Sequence, residues 1–393
     1  MAVAYFDHAA STPMHPEVVE AMREFFDGCY ANPTGAHRMA RDARRATDDA
    51  RDVLAEALGA RPGEIVFCGS GTEGDNLAVF GAAAGEAGPG GSGGTVVCSA
   101  TEHPAVLRPV EQLGGRVVGV DRGGMLDLDA LAAALDGDVR LVSVMLANNE
   151  TGVVWSLAEV AEVMARHAPG ALLHTDAVQA FPWLDVAALA TPADLISVSA
   201  HKFGGPKGVG ALVVRDGVRL QAQIVGGGQE AERRSGTPNV AGIVGMGTAA
   251  AVTLARRGEV VQRAGRLRDR LADGLRAAIG GVIETGVHPP AGAGAPVDRS
   301  AKVAGSCHLC FEGIESEALL FLAERGGVYA SAASACASGA EDPSHVLAAM
   351  GYPRSLARGS LRLSLGAASS EADVETALAV LPPAVAQLRR AAA

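Results

Sequence analysis

Between residues 64 and 214 the chain repeats one device: a short, almost wholly apolar run. The runs are "EIVFC" (64–68), "TVVCSA" (95–100), "RVVGV" (116–120), "RLVSVML" (140–146), "ALLHT" (171–175), "LISVSA" (195–200) and "GALVV" (210–214). Helical stretches separate most of them. Runs that short and that continuously apolar are strands buried on both faces, so the pattern predicts an α/β fold whose mostly parallel, seven-stranded sheet is flanked by helices. A strand-like piece at 3–7, a helix from Pro16 and an amphipathic helix over roughly 37–59 precede the runs. The Gly-rich "GEAGPGGSGG" (85–94) reads as a surface loop.

After about 260 the pattern changes. A long Arg-rich helix, "VVQRAGRLRDRLADGLRAAI", is followed by strands, loops and an Ala-rich helix at about 371–391. A chain of 393 residues is long for one core. The expected organisation is an N-terminal segment (1–15) joining a smaller α+β domain at 258–393, with a large domain at 16–257 between them.

The formal charge of −11 and an aromatic content of 4% argue against nucleic acid or an anionic membrane as the main partner. "MAVAYFDHAASTP" lacks the basic and apolar zones of a signal peptide, and "VAGIVGMGTAAAVTLA" (240–255) is too short and too Gly-rich to span a bilayer. A cytoplasmic protein is expected. Six cysteines, at 29, 68, 98, 307, 310 and 336, do not make a disulfide framework. "CHLC" (307–310) invites a metal, but strand alternation turns Cys307 and Cys310 to opposite faces and no second CxxC completes a set, so no metal is expected.

Three stretches carry chemistry. In "EIVFCGSGTEGDNLAV", Gly69, Gly71 and Gly74 lie between a strand and a helix, where free amides and the helix dipole suit an anion. The spacing satisfies a dinucleotide fingerprint, with Glu102 ending the next strand. It fits a single phosphate equally, with the Thr72 hydroxyl as an added donor, or a tight structural turn. In "LLHTDAVQAF", Asp176 ends an apolar strand, at the sheet edge where α/β ligands bind, or caps a helix. In "DLISVSAHKFGGPKGVGALVV", Ser199, His201 and Lys202 close the next strand, and partial desolvation there pushes a lysine toward nucleophilic amine chemistry, a solvated turn lysine being the alternative. An acid, a lysine and a phosphate cradle at successive strand ends are what pyridoxal 5′-phosphate (PLP) needs, and a dinucleotide needs neither of the first two.

With these motifs in order, "YFDHAASTP", "GSGTEGDNLA", "TEHPAV", "ANNETGVV", "HTDAVQAF", "SVSAHKFGGPKGVGAL", "GGGQEAERRSGTPNV" and "SACASGAEDPSHVL" resemble the group I (NifS/IscS-like) cysteine desulfurases, fold-type I PLP enzymes of the class V aminotransferase superfamily. The resemblance covers residues 5 to about 370, and "SACASG" followed by "DPSHVL" is its most specific part. It implies that Lys202 bonds to the cofactor and moves the substrate Cα proton. Asp176 pairs with the pyridine nitrogen, Gln179 meets the ring's phenolic oxygen and His103 stacks on the ring. Gly71, Thr72, Ser199 and His201 hold the phosphate, while Asn149 and Arg362 bind the substrate carboxylate. Thr237 reaches the phosphate of a partner subunit, which implies a homodimer. Cys336, on a loop of small residues at about 328–342, takes sulfur from L-cysteine as a persulfide, leaving L-alanine, and passes it to a sulfur-acceptor protein. Iron–sulfur cluster biogenesis and tRNA thiolation are among the pathways such sulfur serves. The chain departs from the pattern at Ala333, where glycine is common, and at Asp342, where glutamate is usual. The competing readings are a selenocysteine lyase, another class V aminotransferase, an NAD-dependent oxidoreductase resting on Gly69–Gly74 alone, and a sulfur-carrier scaffold, which predicts a missing lysine, acid or cysteine.

Overall fold

The computed structural model describes residues 3–84, 94–287, 297–332 and 344–392. In chain order the elements are β1 (Ala4–Tyr5), α1 (Pro16–Asp27), α2 (Arg38–Ala57), β2 (Ile65–Cys68), α3 (Gly71–Ala84), β3 (Thr95–Ser99), α4 (Pro104–Gln112) and β4 (Arg116–Val118). Next come α5 (Leu128–Ala134), β5 (Val139–Ser143), α6 (Leu157–His167), β6 (Leu172–Asp176), α7 (Val186–Leu189), β7 (Leu195–Ser199) and β8 (Gly210–Val214). The remainder is α8 (Val240–Ala278), β9 (Val282–Glu284), β10 (Ser306–Phe311), α9 (Ser316–Arg325), β11 (Val328–Tyr329), α10 (His345–Ala349), α11 (Arg354–Ala357), β12 (Ser360–Ser364) and α12 (Glu371–Ala392).

All seven apolar runs are strands of one sheet, ordered β2-β8-β7-β6-β5-β3-β4. Pairing is parallel from β7 to β4, while β8 runs antiparallel to both β7 and β2. Two successive reversals restore direction, so the C-terminal end of edge strand β2 lies at the same edge of the sheet as those of β6 and β7. That edge is where ligands of open α/β sheets bind. Separate apolar clusters cover the two faces, as a sheet buried on both sides requires.

A three-stranded antiparallel sheet, β12-β10-β9, carries the second core with α8, α9 and α12. The N-terminus joins this core: β1 pairs parallel with β11, and Phe6 is buried among its side chains. On β10, Cys307 packs into this cluster and Cys310 into another with Val346 and Leu356, so the two thiols do occupy opposite faces.

Helix α8 joins the two cores. The Asn239 side chain caps it by accepting the Gly242 amide, and it then runs 39 residues, about 58 Å at 1.5 Å per residue. Ala241 to Ala250 pack on the large sheet's core and Leu267 to Leu275 on the smaller one. The change of pattern near 257 therefore falls inside one continuous helix. Among the described residues no helix is long and apolar enough to cross a membrane.

Candidate active site

Lys202 follows β7 in a short turn, and its Nζ donates to the carbonyls of Ala9 (2.5 Å) and Ala10 (3.0 Å). The N-terminal segment thus closes over the strand ends. Thr12 ties it down further, donating from its hydroxyl to the His201 carbonyl and accepting the Gly204 amide. Lys202, Gln179 and Asn149 line one cavity of about 500 Å³, which continues past Trp183 to Thr253 and Arg257 of α8.

Asp176 ends β6, beside β7. Its Oδ1 accepts the Val178 amide at 2.8 Å, so it does hold the turn after the strand, as the capping alternative requires. Burial nevertheless pushes its pKa up to about 6, against the lowering pull of that amide and of Lys202. Asp75 and Glu102 are buried in the same field, and burial followed by the Asp176 charge lifts Asp75 well above the carboxylate range. Glu102 rises for burial first and Asp176 second. Behind them His174 lies between the hydroxyls of Ser143 (2.8 Å) and Ser197 (3.0 Å), and burial drops it to about 3, leaving a neutral ring. Burial thus favours the neutral form of Asp75 and Glu102, and Asp176 is the carboxylate of the three that stays nearest its ionised form. Gln179 adds a buried Oε1 that has no partner among the described residues.

The Gly71 turn packs tightly on this edge. A Cβ there would meet Val178 Cγ2 at 2.8 Å and Ser199 Cβ at 3.2 Å, so only glycine lets the start of α3 approach Ser199. Thr72 opens the first turn beside it. His201 is half-buried, its Nδ1 lies 3.4 Å from Ser11 Oγ, and burial, Lys202 and Lys207 lower it to about 4. Glu102 is engaged elsewhere: its Oε1 accepts the Met145 amide at 2.7 Å, and it is fully buried. It is therefore not placed to meet a ribose, which removes the acid that the dinucleotide reading needs.

His103 caps α4, with Nδ1 accepting the Ala105 amide at 3.1 Å and Pro104 opening the helix. Burial first, then Lys202, His345 and Arg362, lower it to about 4. The neutral ring, with Nδ1 occupied as an acceptor, carries its proton on Nε2. Arg362, on β12, donates to Asp7 Oδ1 (2.9 Å) and to the Asn149 carbonyl (3.0 Å), while its buried Nε has no partner among the described residues. Thr237 stands apart: it is exposed, in a cleft with Gly69, Arg234 and Asn239. Cys336 lies outside the described residues. The chain leaves them at Ala332, after Ser331 pairs with Arg362. It re-enters at Ser344, whose hydroxyl donates to the Glu150 carboxylate, and His345 Nε2 donates to the Glu102 carbonyl at 2.9 Å. The other five cysteines are buried with free thiols. Burial pushes Cys307 and Cys310 up to about 12, and Cys29, Cys68 and Cys98 upward as well.

Residues 4–377 match the aminotransferase class-V family model. The chain belongs to the class-V aminotransferase family. Within it, the chain is 44% identical to an "IscS-like cysteine desulfurase" of Mycobacterium tuberculosis, over 99% of this chain and 98% of that one. Among solved structures it resembles a "NifS-like protein" with a TM-score of 0.87 at 32% identity, covering 98% of this chain and all of that one. It also resembles "SspA in complex with cysteine", with a TM-score of 0.77 at 30% identity over 92% and 98% of the two chains. Class-V membership agrees with the sheet and the strand-end lysine.

Sequence motifs did not reveal Asp7, Asn148, or the carbonyls of Ala9 and Ala10. Asn148 is buried and braces the 148–151 turn, its Oδ1 accepting the amides of Glu150 and Thr151. The quoted stretches "YFDHAASTP" and "ANNETGVV" contain all four, and their density of small and polar residues was the available signal.

Proposed function

We infer that the chain is a PLP-dependent cysteine desulfurase that takes sulfur from L-cysteine, leaves L-alanine, and carries the sulfur as a persulfide on Cys336. The convergence of Lys202, Asp176 and Gln179 at one sheet edge carries this reading, together with near full-length similarity to cysteine desulfurases. The site fits PLP: Asp176 offers the ring nitrogen an anion, the free Gln179 Oε1 a polar contact, and the glycine approach at Gly71 a phosphate cradle with Thr72, Ser199 and His201. When bound, the cofactor supplies an electron sink for the substrate's Cα–H bond.

The chain's own residues do the rest. Lys202 Nζ, released from the carbonyls of Ala9 and Ala10, moves the Cα proton. His103, neutral and protonated on Nε2, covers the ring face and donates a proton toward the substrate. Arg362 grips the substrate carboxylate beside Asn149, its buried Nε having no partner among the described residues. The Cys336 thiolate attacks the substrate sulfur. An S–S bond forms, the C–S bond breaks, and its electron pair stays with the substrate carbon, which takes up protons to become alanine. Elimination supports Cys336, because burial holds the other five thiols protonated.

The working unit we propose is a homodimer. Thr237 is exposed beside Gly69 and outside the Lys202 cavity, a position suited to serving a second copy, and Val225, next to the Ile224 carbonyl that accepts the Ser235 amide, is 80% exposed. The acceptor is a protein that reaches the segment between Ala332 and Ser344.

The test uses Cys336→Ser and Lys202→Ala. Cys336→Ser should keep the cofactor's visible band and its response to L-cysteine while losing the persulfide, read by mass spectrometry. Lys202→Ala should lose turnover and the band of the bonded cofactor. Full sulfide release by Cys336→Ser would overturn the assignment of the nucleophile.

A further inference from the structure

Strand β2 is the edge of the large sheet, so one row of its backbone groups has no strand to pair with among the described residues. Those groups are taken by side chains. The Phe67 amide donates to Glu230 Oε2 at 2.9 Å, and the Gly69 amide donates to Glu73 Oε2 at 2.8 Å. Amides two residues apart point the same way along a strand, and here each meets a carboxylate.

Each carboxylate also holds a forked arginine. Arg51 reaches Glu230 through both terminal nitrogens at 2.8 and 3.0 Å, and donates to the Ile65 carbonyl. Arg234 reaches Glu73 through Nε at 2.7 Å and Nη2 at 3.3 Å. The two brackets flank Cys68 and lead straight into Gly69–Thr72, with Ser70 Oγ accepting the Glu73 amide at the start of α3.

The segment that supplies Glu230 and Arg234 is strained. Glu230, Ala231 and Glu232 adopt φ of 50°, 53° and 64°, three consecutive left-handed residues without a glycine. Such a run persists only where its surroundings impose it, and the Arg51–Glu230 pair with the Phe67 amide does so. Three residues beyond Arg234 comes Thr237. Nothing in the catalytic chemistry above uses these four charged residues.

We propose that Glu73 and Glu230 are positioning residues for the cofactor phosphate, and that Arg234 is needed to cancel the charge Glu73 brings to the phosphate-binding turn. The inference rests on the PLP reading of the preceding subsection. A carboxylate on the first turn of a phosphate-binding helix opposes the ligand it helps to place. It braces the Gly69 amide usefully only while a guanidinium neutralises it.

The experiment compares PLP retention by the full-length holoenzyme with refilling of the stripped chain, following the visible band, in Arg234→Gln, Arg234→Lys and the double variant Glu73→Gln/Arg234→Gln. Arg234→Gln leaves Glu73 charged and unpaired and should weaken PLP binding roughly tenfold. Arg234→Lys keeps the charge but loses the fork, and should fall between Arg234→Gln and the parent. The double variant removes both charges and should recover to within about threefold of the parent, a rescue that loss of packing alone would not give. Parent-like binding by Arg234→Gln, or a double variant no better than Arg234→Gln, overturns the proposal. If the parent itself takes up no PLP, the functional reading fails. If the parent loads and Arg234→Gln matches it, only this inference fails.

Discussion

Replacing Asp176 with Asn separates what the residue does for the cofactor from what it does to the fold. Burial lifts the carboxyl from 3.8 to about 6, overcoming the Val178 amide and Lys202. A rise of about 2 pKa units corresponds to ~3 kcal/mol. Without cofactor, the folded chain binds this proton more tightly than the unfolded chain does. The resulting stability is fully present below about pH 3.8 and is lost as pH rises through about 6. That loss is the whole of the ~3 kcal/mol, so above about pH 6 the ionised Asp176 costs the fold this much relative to a neutral side chain in its place. An amide of the same shape cannot ionise, and its oxygen can still accept the Val178 amide. Cofactor-free Asp176→Asn should therefore be more stable than the parent at pH 8, by up to ~3 kcal/mol, and converge with it near pH 4. Urea unfolding of both proteins at the two pH values measures the difference. With cofactor bound the order should reverse, because a protonated ring nitrogen pairs with a carboxylate and not with an amide, and turnover should collapse. A cofactor-free Asp176→Asn that is less stable than the parent at pH 8, or offset equally at both pH values, would refute the reasoning.

Arg362→Ala should raise KM for L-cysteine well above its effect on kcat, and steady-state rates that leave KM unchanged would remove Arg362 from the carboxylate site. Gly71→Ala puts a methyl 2.8 Å from Val178 Cγ2 and 3.2 Å from Ser199 Cβ. It should lower PLP affinity at least ~10-fold, about 1.4 kcal/mol, measured by titrating the stripped chain; parent-like loading would refute the close approach.

The large sheet was legible because each strand is buried on both faces and its run of apolar residues is nearly unbroken. Lys202, Asp176 and Gln179 were legible for a related reason: polar residues directly after such runs must emerge at the sheet edge. The hold of Asp7 on Arg362 was not, because its partners are 355 residues apart and meet only when the N-terminal segment joins the second core. The continuity of α8 was hidden as well. Its Gly- and Ala-rich beginning suits close packing on the large core, whereas its Arg-rich continuation lies partly in solvent, so composition changes where the structure does not. Paired charges such as Glu73 and Arg234 have no sequence periodicity to announce them.

Helix α8 also limits how this molecule could be divided or recombined. Its two ends are buried in different cores, and the stretch between them, through Thr253 and Arg257, walls the cavity in front of Lys202. A cut near 257 would leave each fragment with part of a helix and a share of the cavity wall. Exchanging the cysteine-bearing half with that of a relative would carry the same cost unless Val240–Ala278 travelled whole. The Lys202 cavity and the second core are therefore joined by one continuous helix and would have to be inherited together.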